Sequence, residues 1–179
     1  MENSKTSSRK HVIARVLAML MAVLMIGSSV MTASAATSYY WPLGKTRGVI
    51  TAKFGEKRRY ETHPGIDIAA KKGTKIYAAT GGKVIYAGNL GRAYGKTIKI
   101  QNNDGKRTTY AHLSKIGVKK GQKVKKAAYI GKVGATGYAT GPHLHFEVEK
   151  KVKGKNGKTK WKLVNPLDYV KQPKAKKKK

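Results

Sequence analysis

The sequence predicts an all-β fold, mainly antiparallel, in the form of a compact β-sandwich or barrel-like domain. The region between Trp41 and Val170 consists of short runs rich in Val, Ile, Tyr and Thr, and Gly, Asn or Asp bounds most of them. This composition is typical of strands joined by tight turns. In the same region, no window shows helical periodicity over as many as three turns. These observations argue against a helical or α/β class.

Residues 1–35 have the three parts of a secretory signal peptide. A basic start leads into an apolar run, residues 16–26, and then into small residues that end in Ala33-Ser34-Ala35. The apolar run is shorter than the roughly 20 residues of a membrane-spanning helix. An extension through Val30 and Met31 leaves an uncleaved membrane anchor as the alternative. We expect cleavage after Ala35 and export.

Residues 36–170 are predicted to form one domain, and five strands are expected within it. These strands comprise residues 83–87, 96–101, 108–113, 129–133 and 143–149. Asn103-Asp104-Gly105, between the second and the third, is a strong signal for a hairpin turn. The last segment, residues 171–179, is mostly lysine, and we predict that it is a disordered, solvated tail.

The chain is strongly basic and has no cysteine. It contains 39 Lys and Arg residues against 8 Asp and Glu, which gives a net charge of +31 at pH 7. Without cysteine, disulfides, thiolate metal sites and cysteine nucleophiles are excluded. A charge of this size favours an anionic partner. Because an exported protein meets no chromosome, and because no zinc-finger or RNP-type motif occurs, we expect surface polymers or lipid headgroups rather than nucleic acid.

The segment 141–149 has the sequence GPHLHFEVE and carries two histidines. On a strand, where side chains alternate between the two faces, His143, His145 and Glu147 share one face, and the apolar residues between them face the core. A strand packed in this way can hold a metal site or a catalytic pair firmly. The alternative is a pair of solvent-facing histidines on an amphipathic strand.

Two further motifs supply groups of the same kind. His63 and Asp67 flank Pro64-Gly65, which argues against a helix and favours a turn into a strand over residues 66–69. His112 ends a predicted strand. Each motif also has a simpler interpretation, since Asp67 could cap a turn and His112 could be a hydrogen-bonded loop residue.

Together these residues fit a zinc site. A catalytic zinc takes three protein ligands and keeps one position for a water molecule, which becomes the nucleophile near neutral pH. Two histidines and an aspartate are available as ligands, and the remaining histidines can transfer protons or stabilise the oxyanion. Spacing alone does not distinguish a ligand from an acid or base between His143 and His145. The chain lacks the His-Glu-x-x-His motif of the common helix-borne zinc proteases.

These motifs resemble those of the lysostaphin/LytM-type zinc metalloendopeptidases, which are peptidoglycan hydrolases of metallopeptidase family twenty-three. The markers are His63-x-x-x-Asp67, the segment YAHL at 110–113 and the segment GPHLHFE at 141–147. Each marker is common by itself, but the three in this order are specific. The likeness extends from Trp41 to Tyr169.

The resemblance implies one zinc ion per chain, bound by His63, Asp67 and His145 beneath a substrate groove. It also implies that His112 and His143 face the water and the transition state without binding the metal. Glu147 continues the same strand face, where it could either hydrogen-bond a ligand imidazole or face solvent.

The expected function is that of a secreted zinc metalloendopeptidase that hydrolyses peptide bonds in peptidoglycan stems or cross-bridges. The alternative is a catalytically silent, zinc-containing wall-binding protein or an activator of other wall hydrolases, because some members of the family lose site residues. All five matching positions are intact here, which favours activity. We expect a monomer that stays at the cell wall, because its basic surface and Lys-rich tail bind anionic wall polymers.

Overall fold

The computed structural model describes residues 39–58, 61–154 and 156–175. The predicted signal peptide, residues 1–35, lies outside the described residues, as do the last four residues of the Lys-rich tail. In the described part of the chain, no helix is long and apolar enough to span a membrane.

The described residues form eleven β-strands and one short 3₁₀ helix, Pro166–Asp168. The strands are β1 Val49–Ala52, β2 Ile66–Ala69, β3 Lys75–Tyr77, β4 Gly82–Asn89, β5 Lys96–Asn102, β6 Arg107–Ala111, β7 Leu113–Ile116, β8 Lys123–Val124, β9 Tyr129–Val133, β10 His143–Lys153 and β11 Thr159–Val164.

The strands form two antiparallel sheets. The larger has the order β1-β2-β10-β6-β5-β4-β8, and β11 also pairs with β10. The smaller has the order β3-β9-β7. Buried apolar side chains of both sheets form one cluster, which is the core of the domain. The prediction of an all-β, mainly antiparallel fold is confirmed.

Strand β10 pairs with three other strands of the larger sheet. Residues 143–146 pair with β2, residues 145–149 pair with β6, and residues 148–153 pair with β11. Leu144, Phe146 and Val148 are fully buried in the core. Burial of each such side chain contributes about 1.5–3 kcal/mol to folding. Because this apolar face is fixed in the core, the opposite face of β10 presents its polar side chains at a defined position.

The chain leaves the larger sheet at His112, where the predicted strand 108–113 is interrupted. Strand β6 ends at Ala111, and β7 begins at Leu113 in the smaller sheet. His112 has φ of 60°, a left-handed conformation that few non-glycine residues adopt. Its backbone N–H donates to the Tyr94 carbonyl oxygen at 2.9 Å instead of continuing a ladder. The single predicted strand is therefore wrong at this point, since two strands in different sheets occupy the segment.

The other predicted elements agree with the structure in position. The strand predicted over 66–69 is β2, and that over 129–133 is β9. Strands β5 and β6 form the predicted hairpin, in which Gly105 of the turn has φ of 80°. Strand β10 continues to Lys153, beyond its predicted end, because β11 supplies a hydrogen-bonding partner for the added residues.

Candidate metal centre

The structure brings together all five site residues singled out by the sequence. Asp67 lies on β2, and His143 and His145 lie on the adjacent β10. His63 is in the turn before β2, and His112 is at the junction of β6 and β7. Side chains from three separate segments of the chain thus converge on one site.

Three donor atoms from His63, Asp67 and His145 form a compact triangle. His63 Nε2 is 3.2 Å from Asp67 Oδ1 and 3.1 Å from His145 Nδ1. His145 Nδ1 is 2.7 Å from Asp67 Oδ1. Tetrahedral zinc, with bonds of about 2.0–2.1 Å, separates its ligand atoms by about 3.3 Å. The spacing of these atoms therefore fits a single small cation.

The second nitrogen of each imidazole in this triangle already has an acceptor. His63 Nδ1 is 2.9 Å from the Lys53 carbonyl oxygen, and His145 Nε2 is 3.0 Å from Glu147 Oε1. A carbonyl and a carboxylate only accept, so these two nitrogens carry the protons. In the neutral rings that metal ligation requires, the nitrogens that face Asp67 are then the lone-pair donors.

The pKa values of His145 and Asp67 show that the triangle favours a positive charge beside the carboxylate. Burial lowers the pKa of His145, but its hydrogen bonds with Asp67 and Glu147 raise it by more, to about 9. Burial raises the pKa of Asp67, yet hydrogen bonds with His145 and His63 hold it well below its usual range. In the absence of metal, an imidazolium proton therefore takes the place of a cation beside the carboxylate.

Backbone register and one glycine position the triangle. His145 and Asp67 are direct partners in the β10–β2 ladder, so their side chains lie next to each other on one face. A Cβ atom on Gly65 would lie 2.3 Å from the Phe146 carbonyl oxygen. Only glycine lets this turn pass so close to β10, and the close passage brings His63 to the other two ligand candidates.

Arg58 holds the second oxygen of the aspartate. Its Nη2 is 2.8 Å from Asp67 Oδ2, while Oδ1 faces the two histidines. The Arg58 side chain is 42% exposed, so it is open to solvent on its other side. This contact fixes the orientation of the carboxylate, and the sequence analysis did not identify it.

His112 and His143 form a second pair beside the triangle. Their ring centroids are 4.6 Å apart. The Nδ1 atoms of His112 and His143 contact the carbonyl oxygens of Thr136 and Gly141 at 2.8 and 2.9 Å, which leaves both Nε2 atoms free. Burial lowers the pKa of His112 to about 4, so this imidazole is neutral at pH 7.

Glu147 is buried, with 3% of its surface exposed, and it has two donors. Besides His145 Nε2, the Tyr94 hydroxyl donates to Glu147 Oε1 at 2.7 Å. Of the two interpretations that the sequence left open, the structure supports the hydrogen bond to a site imidazole. Tyr94 was missed, because it precedes β5 in a loop with no pattern that marks it.

The site opens into a groove on both sides. One cavity, of about 500 Å³, is lined by His112 and His145, and a second, of about 410 Å³, is lined by Asp67 and His143. Arg58 lines both cavities. An extended peptide laid through the two cavities would therefore pass over the triangle.

One wall of the larger cavity is formed by two loops that are bonded to each other. The Tyr138 backbone N–H donates to the Ala93 carbonyl oxygen at 3.3 Å. Gly95 and Gly137 approach so closely that a Cβ on Gly137 would lie 2.5 Å from the Gly95 nitrogen. Tyr138 stands 85% exposed at the mouth of this cavity. The two loops thus form one continuous wall.

Residues 61–165 match the profile of peptidase family M23, and the chain belongs to this family. The predicted resemblance is thereby confirmed. The matched range contains all five site residues, and the all-β fold is that of the family's solved structures.

Three known proteins show the range within the family. The murein hydrolase activator NlpD of Salmonella dublin is 38% identical over 145 residues, which is 81% of this chain and 34% of NlpD. The peptidoglycan DD-endopeptidase ShyB of Vibrio cholerae is 42% identical over 120 residues, or 60% of this chain and 26% of ShyB. The structure of lysostaphin from Staphylococcus simulans aligns with a TM-score of 0.62 at 30% identity, covering 74% of this chain and 52% of that one. The chain thus spans 34% and 26% of the length of these two curated relatives.

Proposed function

We propose that the protein is a secreted zinc-dependent endopeptidase that hydrolyses peptide bonds in peptidoglycan stems or cross-bridges. The triangle of His63 Nε2, Asp67 Oδ1 and His145 Nδ1 carries this proposal, because three possible ligand atoms about 3 Å apart are spaced to bind one small cation. One zinc ion per chain would be held by these three residues. Bound there, zinc would supply a Lewis acid that activates water and polarises the scissile carbonyl.

His112 and His143 are proposed to act on the substrate rather than on the metal. Each is held by a backbone carbonyl at Nδ1 and has Nε2 free. The neutral His112 can accept a proton at Nε2, and the protonated ring can return it to the leaving amine. His143 lies next to Asp67, with Nε2 at 3.7 Å from Oδ1, where it can hydrogen-bond the developing oxyanion.

A second candidate is a catalytically silent zinc protein that activates other wall hydrolases. The similarity to NlpD, named as a murein hydrolase activator, favours it. Such a protein would use the groove to bind and would release no new amino groups. The intact set of four histidines and one aspartate, four of which line the two cavities, supports the hydrolase instead.

Export and wall retention form a further part of the proposal. The basic start, apolar run and A-x-A site of residues 1–35 support secretion. The net charge of +31 supports binding to anionic wall polymers through the basic surface and the Lys-rich tail. This attraction does not depend on the metal.

The decisive experiment measures release of free amino groups from purified peptidoglycan by the zinc-loaded and the chelator-treated protein, with identification of the new N-terminal residue. We expect release only with zinc. His145→Ala should lose both zinc and activity. His112→Ala should keep zinc and lose about 10²–10⁴-fold in rate, because proton transfer is removed.

Two results would contradict the proposal. A wild-type protein that holds one zinc and releases no amine would favour the activator. A His112→Ala protein without zinc would show that His112 belongs to the metal site and not to proton transfer.

A further inference from the structure

The larger cavity beside the triangle carries excess positive charge. Arg58 and Arg92 line it together with a single acidic residue, Glu61. His145 and His112 line the same cavity, so both arginines share it with the candidate site. A peptide entering this side of the groove meets two cations and one anion.

Neither arginine is fully used within the protein. A guanidinium has five N–H donors, and Arg58 donates to Asp67 only through its Nη2 atom. Arg92 is exposed and makes no hydrogen bond or ion pair with any residue that the structure describes. The hydrogen bond between Tyr138 and Ala93 fixes the loop that carries Arg92. The backbone that carries Arg92 is therefore fixed at the groove, and free guanidinium donors are available there.

Guanidinium groups bind a carboxylate better than any other group of a peptide. Their planar fork binds a carboxylate through two parallel hydrogen bonds, which a carboxamide or a plain backbone does not reproduce. Because the cavity adjoins the triangle, a bound carboxylate would lie within a residue or two of the scissile bond.

We propose that Arg92, with the free donors of Arg58, forms a subsite for a free carboxylate on the peptide substrate. This inference rests on the proposed function, since it specifies the substrate of the same groove. The protein then prefers peptides with a carboxylate beside the scissile bond over their carboxamides and over uncharged glycine bridges. Arg92 is the specificity-determining residue, while Arg58 also positions Asp67.

The test uses two synthetic cross-linked stem peptides that differ only in one group, a carboxylate in the first and a carboxamide in the second. Hydrolysis by the full zinc-loaded chain gives kcat/KM, and isothermal titration gives Kd for each peptide. We expect the wild-type protein to favour the carboxylate peptide about 10-fold or more in kcat/KM or Kd. R92Q should reduce this preference to within about 2-fold.

The matched control is K120Q, which removes one positive charge from an exposed turn outside the groove. It should keep the wild-type preference, which separates local recognition from the effect of net charge. Equal treatment of the two peptides by the wild type, or an R92Q variant with the full preference, would overturn the inference.

Failure of the proposed function gives a different result. The protein could cleave neither peptide but bind the carboxylate form more tightly, with the difference lost in R92Q. This result would support the subsite and contradict the proposed hydrolase activity. A protein that neither cleaves nor binds either peptide would overturn the subsite.

Discussion

Replacement of Glu147 by alanine tests how the metal centre is oriented. Glu147 Oε1 accepts hydrogen bonds from His145 Nε2 at 3.0 Å and from the Tyr94 hydroxyl at 2.7 Å. Alanine removes the acceptor of both hydrogen bonds inside the protein, where the exposed fraction of Glu147 is 3%. The imidazole of His145 then loses the bond that fixes its tautomer and its ring orientation.

Two independent considerations give the expected loss of zinc affinity. Loss of a hydrogen-bonding partner behind a metal ligand lowers metal affinity about 10–100-fold, which corresponds to about 1.4–2.8 kcal/mol. A buried donor left without an acceptor costs about 1–3 kcal/mol. The two ranges agree, so we expect the Kd for zinc of Glu147→Ala to rise by 10–100-fold. Glu147→Gln keeps an acceptor oxygen without the charge and should lie at the lower end.

The assay is a competitive zinc titration against a chromophoric chelator. Glu149→Ala is the matched control, because Glu149 lies two residues further along β10 and has no hydrogen bond to His145. We expect its zinc affinity to stay within about 2-fold of the wild type. A Tyr94→Phe protein should show a smaller loss than Glu147→Ala, since the carboxylate still accepts from the imidazole.

One result would refute this reasoning. If Glu147→Ala folded normally and bound zinc as tightly as the Glu149→Ala control, the hydrogen bond to His145 would not orient a ligand. The role of His145 as a zinc ligand would then need direct examination of its ring by NMR.

Three further perturbations have definite expected outcomes. Gly65→Ala should lower both the Tm and the zinc affinity, measured by thermal unfolding with and without zinc, because its Cβ would lie 2.3 Å from the Phe146 carbonyl oxygen; an unchanged Tm would contradict the close approach. Removal of residues 174–179 should reduce the fraction of protein that sediments with cell walls at low salt, and it should leave hydrolysis of a small peptide unchanged. Equal loss of wall binding and hydrolysis would contradict electrostatic retention. Burial raises the pKa of Asp104, but the Tyr39 hydrogen bond and a neighbouring lysine lower it by more. Its contribution to stability is therefore present above the unfolded pKa near 3.8 and is lost as the pH falls through the lower folded value, so urea unfolding of Asp104→Asn should depend less on pH below 4.

The strands that carry alternating patterns could be predicted from the sequence. In β10, apolar and polar residues alternate from His143 to Glu149, and the structure has the apolar set in the core. The short strand β8, with two residues, has no such pattern, and its conformation comes from pairing with β4, which is a tertiary effect that local sequence does not report. Strand β11 alternates only over residues 160–163, and the sequence analysis did not identify it.

The candidate site could be predicted as a set of residues, but not in its geometry. The spacing of His143 and His145 is the same whichever of them binds a metal. Ladder register distinguishes them, because His145 and not His143 lies directly opposite Asp67. The contacts of Arg58 and Tyr94 depend on how loops cross the sheet, and no residue pattern in the sequence indicates those crossings.

The joined wall of the larger cavity is hydrogen-bonded to His112, so a displacement of the wall would also displace this histidine. The Tyr94 carbonyl that receives the His112 N–H and the Thr136 carbonyl that receives His112 Nδ1 lie in the two loops locked together by Gly95 and Gly137. A peptide with a residue bulky enough to push this wall outward would move His112 away from the scissile bond. If the chain hydrolyses peptides as proposed, slender residues at that position would be cleaved and bulky ones would be bound without turnover, because the backbone of the wall limits the width of the substrate. Selectivity by thickness would then persist even if every exposed side chain at the mouth of the groove were exchanged.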